Sequence, residues 1–297
     1  MPDLALLAAV RPLLVEVGDA KRVRVAARPG SLAEQAFARA WSRLLAGEDP
    51  EDVALSETAA AVVRARLAGI DGPVLTGAGL TAAEALEVLQ RSFEEVAPAL
   101  PGAARLRRHV RLLGAVLAEP PSFVAVLSRQ PRAGATCPGR PRLVVEPPES
   151  HGDHCLTTAV YSALLAPVFG ADPVAPFLLG LAHHLHNVCL PDAGFAGEVL
   201  LGSHLERVVA TLEERELAGL PAPLADRLRG VLRLRADASV PEAQAFHAAD
   251  VLDRVLQVHH HARAAAFTAS QALDDLELVH EGPVQAFHDE VLAASGL

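Results

Sequence analysis

Beyond Pro147 the apolar positions recur at helical spacing almost to the end of the chain, and the pattern breaks at prolines and glycines. It predicts helices over 152–168, 173–189, 196–217, 222–235, 241–267 and 283–294. Pro173, PDAG at 191–194, GLPAP at 219–223, ASVP at 238–241 and Gly282-Pro283 separate them. Helices with apolar faces and short connections assemble as a bundle. The first 130 residues read differently. From Leu13 to Ala27, Val15, Val17, Val23 and Val25 alternate with other positions around Gly18-Asp19, the pattern of two short strands. Ser31 with Glu34 forms a capping box opening a helix that carries Phe37, Trp41, Leu44 and Leu45. Thr81 with Glu84 repeats it for a helix over 81–97, and further helices are expected at 56–68 and 102–118. The glycine-rich DGPVLTGAGL between them reads as a loop; it lacks the context of a nucleotide-cradling motif.

The segment 129–150, RQPRAGATCPGRPRLVVEPPES, is too rich in proline, glycine and arginine for a helix. It reads as a linker or an extended arm, and Arg129, Arg132, Arg140 and Arg142 are long enough to reach a phosphate from it. The expected fold is mainly α, with a smaller α+β region over 1–130, the linker or arm at 131–146 and a helical bundle over 147–297.

Composition narrows the function classes. The chain is 51% hydrophobic but only 4% aromatic, so its core is built from Leu, Val and Ala, which favours closely packed helices. A net charge of −10 argues against nucleic acid as a partner and leaves room for a small phosphorylated molecule held by a cation and arginine. Three cysteines without CxxC spacing suit a reducing cytoplasm better than a disulfide scaffold. No apolar run is long enough to span a bilayer, and the first 17 residues, broken by Arg11 and Pro12, read as structural. The expectation is a cytoplasmic protein with no membrane partner; a homo-oligomer is left open.

Three segments carry candidate chemistry. LAHHLHNVCLPD at 181–192 places His183, His184, His186 and Asn187 where an apolar helix ends. PPESHGDHC at 147–155 offers Glu149, His151, Asp153 and His154, and FHAADVLDR at 246–254 offers His247 and Asp250. Histidines and an aspartate on three helices, at the inward edges of apolar stripes, are how an all-helical protein builds a metal site.

Residues 147–262 resemble the HD-domain superfamily of metal-dependent phosphohydrolases. PES-xxx-H over 148–154 is similar to PESVAEHS of the branch that hydrolyses deoxynucleoside monophosphates, and 181–192 is similar to that branch's helix ending IHDLAEAIVGD. The resemblance implies that His154 is the first metal ligand, that His183 stands on the family's His and His184 on its Asp, and that Asn187 stands on the catalytic Glu and Asp192 on the family's second Asp. AFHAADVLDR resembles the AD-x-LD segment and makes Asp250 the last ligand.

Two departures change the expected chemistry. A neutral imidazole at 184 cannot bridge two ions as the Asp does, so the resemblance implies one divalent transition metal (Zn, Mn, Co or Fe) on His154, His183, His184 and Asp250. Adjacent helical residues point about 100° apart, so His183 and His184 can share an ion only at a helix end or bend. An alternative register instead puts His183 and Asn187 on one face. Asn187 cannot take a proton, which leaves Asp192, His186 or Glu198 to manage it. Glu149, Tyr161 and Arg142 are the candidate substrate contacts, and His247 a candidate support for Asp250. The implied activity is hydrolysis of a nucleotide or related phosphate ester. The alternatives are an inactive HD-like module for ligand sensing or protein interaction, and an HD-type iron oxygenase if His204 points inward.

Overall fold

The computed structural model describes residues 4–113, 118–264, 268–275 and 277–297, and it is mainly α. α1 (Ala5–Gly18) buries Leu7, Val10, Leu13, Leu14 and Val17 as one helical stripe. The strand expected at Leu13–Gly18 is therefore helix. Val15 and Val17 are the tail of a longer 3.6-residue pattern, which prevails because it packs on the core. The strands that do form are β1 (Arg24–Val25) and β2 (Arg28–Ser31), a short antiparallel pair.

α2 (Leu32–Leu45) starts at the expected Ser31–Glu34 box. α3 (Pro50–Leu67) begins earlier than the apolar pattern indicates, because Asp49 caps it and Pro50 suits its first turn. The glycine-rich 71–80 segment is not wholly loop: Asp71 accepts from the Val74 N–H and opens α4 (Gly72–Gly77). α5 (Ala82–Val96) follows its Thr81–Glu84 box. The helix expected over 102–118 shrinks to α6 (Ala103–Arg107), after which the chain turns to bury Val110 and pair Arg111 with Asp52. The 114–117 part of that expectation lies outside the described residues.

After α7 (Ser122–Leu127), residues 129–150 form the expected arm, folded on itself through bridges Pro131–Ser150 and Ala135–Leu143. α8 (His151–Phe169) is the buried centre of the molecule. α9 (Val174–Ala182) packs close against it: a Cβ on Gly180 would sit 2.6 Å from the Ala159 backbone, so only glycine permits this approach. The helix expected over 173–189 stops at Ala182, and a 3-10 turn (Leu185–Val188) follows. The helix expected over 196–217 divides into α10 (Gly194–Leu201) and α11 (Leu205–Leu217), separated at Gly202, whose φ of +51° leaves the helical region. α12 (Ala222–Leu232), α13 (Pro241–Ala264) and α14 (Gln285–Ser295) complete the order. α13 and α9 flank α8, and α1, α2 and α3 also pack on it, so one apolar cluster runs from Leu7 to Val291.

The starts of α2 and α8 interlock. Ser31 Oγ accepts from Glu34 N (2.9 Å) and donates to Asp153, while Ser150 Oγ accepts from Asp153 N (3.1 Å) and donates to Glu34 Oε1 (2.7 Å). Each capping serine thus serves its own helix and the carboxylate of the other. Burial, with Glu34 alongside, pushes the Asp153 carboxyl up to about 7. Ser31→Ala and Ser150→Ala are each expected to cost about 1–2 kcal/mol. The double variant should cost less than their sum, because both act through one network; urea unfolding of the four chains measures this.

Candidate metal centre

His154 lies on the first turn of α8, where the Ser150 cap fixes its direction, and is fully buried. His183 and His184 lie where α9 ends. His183 still has helical backbone, whereas His184 (φ −110°, ψ 20°) has left it. That bend meets the condition for adjacent histidines to converge: their ring centroids are 4.2 Å apart, and 5.0 and 5.1 Å from that of His154. Asp250 reaches the same place from α13.

Hydrogen bonds set the tautomers. His154 Nδ1 is 2.7 Å from Asp253 Oδ2 and His183 Nδ1 is 2.7 Å from the Gly180 carbonyl, so each ring carries its proton on Nδ1. Both Nε2 lone pairs then point at one another across 3.1 Å. Asp250 Oδ1 stands 3.3 Å from His154 Nε2 and 4.0 Å from His183 Nε2. Burial, with His154 alongside, holds His183 well below its ordinary pKa, and burial with His183 and Arg132 does the same for His184. Burial would raise Asp250, but the Arg254 guanidinium opposes it, and the carboxyl is held well below its ordinary value. Imidazoles of His183 and His184 that resist protonation, beside an ionised Asp250, make a donor set suited to a cation. Two ligands about 2.1 Å from a tetrahedral zinc stand about 3.4 Å apart, close to these separations. The residues present could hold a metal ion.

His184 is more encumbered. Its Nδ1 donates to Asn187 Oδ1 (2.7 Å), and its Nε2 accepts from Arg132 Nη1 (2.6 Å). Arg132 comes from the arm, where its backbone N–H is held by the Glu149 carbonyl. To join an ion, His184 must release that guanidinium. Removing an opposing cation should favour a second one, so Arg132→Gln is expected to tighten Co(II) binding about tenfold, read by titration of the cobalt absorption bands.

A second acidic group, Glu149, His154 and Asp253, also lies within metal-binding reach. It already holds a cation. Lys21, the chain's sole lysine, places Nζ 2.5 Å from both Glu149 Oε1 and Asp253 Oδ1, and its side chain is 3% exposed. Burial opposes the charge on Lys21, but the two carboxylates outweigh it and raise its pKa. Lys21 thus fixes Asp253, and Asp253 fixes the His154 ring.

Several expected roles change. Glu149 is committed to Lys21 and buried, so it presents nothing to a substrate. Tyr161 is 1% exposed with its hydroxyl on the Leu14 carbonyl, and it joins α8 to α1 instead of meeting a ligand. Arg142 is exposed on the arm, its nearest partner the Ala193 carbonyl at 3.4 Å. Asp192 accepts from Ala133 N (2.9 Å) and Gly194 N (2.8 Å), and although burial opposes it, Arg132 and these bonds lower its pKa. Such a carboxylate ties down a loop and is a poor base. Asn187 holds His184 and the Leu190 carbonyl, a structural use of both ends of its amide. His186 keeps a suitable place: its ring is 5.6 Å from that of His184, and Nδ1 is 3.4 Å from Glu213 Oε1. His247 packs beside Phe246 and His288 and makes no hydrogen bond to Asp250. His204 is exposed against Arg207, so it does not point inward as the oxygenase reading requires.

Lys21, Asp253 and Arg254 had no role in the sequence reading, while Arg132 stood there only as one of four arginines able to reach a phosphate and His151 only as a candidate beside His154. His151 is fully buried 4.7 Å from the His184 ring, with neither ring nitrogen partnered, and burial together with Arg132 pushes it down to about 2. Arg254 meets Asp250 Oδ2 at 3.3 Å. His151 with His154, and Asp250 with Asp253 and Arg254, repeat at three- or four-residue spacing on their helices, the one signal available in sequence. Comparison with family models, with curated proteins and with solved structures finds no match for this chain.

Proposed function

We propose that the chain is a divergent HD-type metal-dependent phosphohydrolase that uses one divalent transition metal on a small phosphate ester, such as a nucleotide. The facing Nε2 lone pairs of His154 and His183, with Asp250 Oδ1 beside them, carry this reading. An ion held by His154, His183 and Asp250 would polarise a phosphoryl oxygen and lower the pKa of a coordinated water. Arg132 and Arg254 bring two guanidinium groups to the same place, an arrangement that suits phosphate oxygens and would orient the ester. His186, with Glu213 behind it, is the group left to carry the proton, since Asn187 lacks basicity and both Asp192 oxygens are engaged. Burial of His154 and His183 keeps bulk water from competing for the ligand atoms.

Elemental analysis of protein purified without a histidine tag tests the metal. About one equivalent is expected, and a folded chain with none would sink the proposal. Phosphate release from a panel of nucleoside monophosphates then tests the reaction. A second reading, a metal-bearing module that senses a ligand without turning it over, is favoured by the structural commitment of Asn187 and Asp192. Metal without phosphate release would select it.

A further inference from the structure

His186 lies in the 3-10 turn Leu185–Val188, against which α11 packs, and α11 carries Glu213 to its ring. Glu213 Oε1 stands 3.4 Å from His186 Nδ1, a buried atom with no closer polar partner among the described residues. Glu213 is held in turn by Arg235, from the short turn Arg233–Ala236 that follows α12. Arg235 Nη1 donates to Glu213 Oε1 at 2.6 Å and Nη2 donates to Oε2 at 3.2 Å. The same Nη1 donates to the His183 carbonyl at 2.9 Å. One guanidinium thus joins the backbone of a candidate metal ligand to the carboxylate beside His186. Burial opposes the charge on Glu213, which is 7% exposed, but the His186 ring and Arg235 outweigh it and lower its pKa.

Each link has its own consequence. The His183 carbonyl belongs to the end of α9, where helix carbonyls lose their amide partners and a cationic donor stabilises the terminus. The backbone bends there, and that bend brings the His183 and His184 rings together. The ionised Glu213 carboxylate only accepts hydrogen bonds, so it selects the His186 tautomer that carries its proton on Nδ1. That choice leaves the Nε2 lone pair free to take a proton. Gripped by two guanidinium nitrogens, the carboxylate is kept from turning away from the ring.

We propose that Arg235 is a positioning residue that sets two parts of the centre at once: the end of α9 through the His183 carbonyl, and the His186 tautomer through Glu213. It rests on the phosphohydrolase reading only for what the Nε2 lone pair does in turnover. Proton–nitrogen correlation spectra of the isotope-labelled, metal-free protein test it at about pH 9, where imidazoles of ordinary pKa are neutral. The His186 signals are assigned by their loss in His186→Gln. Wild type is expected to carry the His186 proton on Nδ1, and Arg235→Met to show a mixture of both tautomers. Arg235 is 32% exposed, so methionine is accommodated there, and Arg235→Gln provides a second uncharged replacement expected to behave alike. Cobalt titration then separates the two links. Arg235→Met should weaken Co(II) binding about tenfold, whereas Glu213→Ala should lose the tautomer preference but keep the affinity, because Arg235 still reaches the His183 carbonyl. A wild-type protein that binds no cobalt would sink the metal reading, while the tautomer comparison would still decide the role of Arg235. A His186 proton on Nε2 in wild type, a tautomer unchanged in both folded Arg235 variants, or cobalt affinity equal in wild type and Arg235→Met would each overturn the proposal.

Discussion

Lys21→Met is expected to cost about 3–5 kcal/mol of folding stability, because it strands two buried carboxylates on one missing partner. Glu149 is 7% and Asp253 1% exposed, so water cannot replace the ammonium. Neutralising the carboxylates as well, in a Lys21→Met, Glu149→Gln, Asp253→Asn chain, should recover most of the loss, since a buried ion cluster contributes little net stability over neutral groups of similar shape. Urea midpoints of the two chains separate the effects. The triple variant then reports on the centre itself. With the Asp253 carboxylate gone, the His154 ring loses its fixed tautomer, and metal affinity should fall about 10–100-fold in a well-folded protein. Equal affinity in wild type and triple variant would remove Asp253 from any role at the metal.

Asp250→Ala is expected to have the largest effect on function. It removes the one carboxylate that faces the two Nε2 atoms among the described residues, so metal content should fall from about one equivalent to below a tenth, a loss in affinity exceeding 100-fold. Phosphate release should fall with it. The fold should survive, because α13 is long and Asp250, unlike Asp253, does not hold Lys21. Tyr161→Phe is the contrasting case. It deletes the hydroxyl bond to Leu14 at a cost of about 1 kcal/mol and should leave turnover unchanged. A large fall in turnover there would restore Tyr161 as a substrate contact.

The helices of the second half and the convergence of His154, His183 and Asp250 were legible because each of these residues sits at the edge of a strong apolar stripe. The bend that lets His184 join them was legible only as a requirement. Its cause, the early end of α9, follows from packing on α8 and leaves little trace in local periodicity. Lys21 was out of reach in a different way. It stands 128 residues from Glu149, in a turn that the valine pattern had suggested was part of a hairpin. Arg132 was visible only as one arginine among several in the arm. Asn187 and Asp192 show the opposite limit: their positions pointed to proton chemistry, whereas their hydrogen bonds are those of residues that hold a loop.

The interlocked starts of α2 and α8 also set an order of assembly during synthesis. Ser31 and Asp153 are separated by 122 residues, so the first pair of capping residues leaves the ribosome roughly ten seconds before the second at about 5–20 residues per second. During that interval Glu34 has only its own helix to cap, and Lys21 has neither Glu149 nor Asp253 to meet. The nascent N-terminal segment therefore waits as an incomplete surface, and the His154 ring is fixed only when Lys21 and Asp253, from the two halves of the chain, are present together.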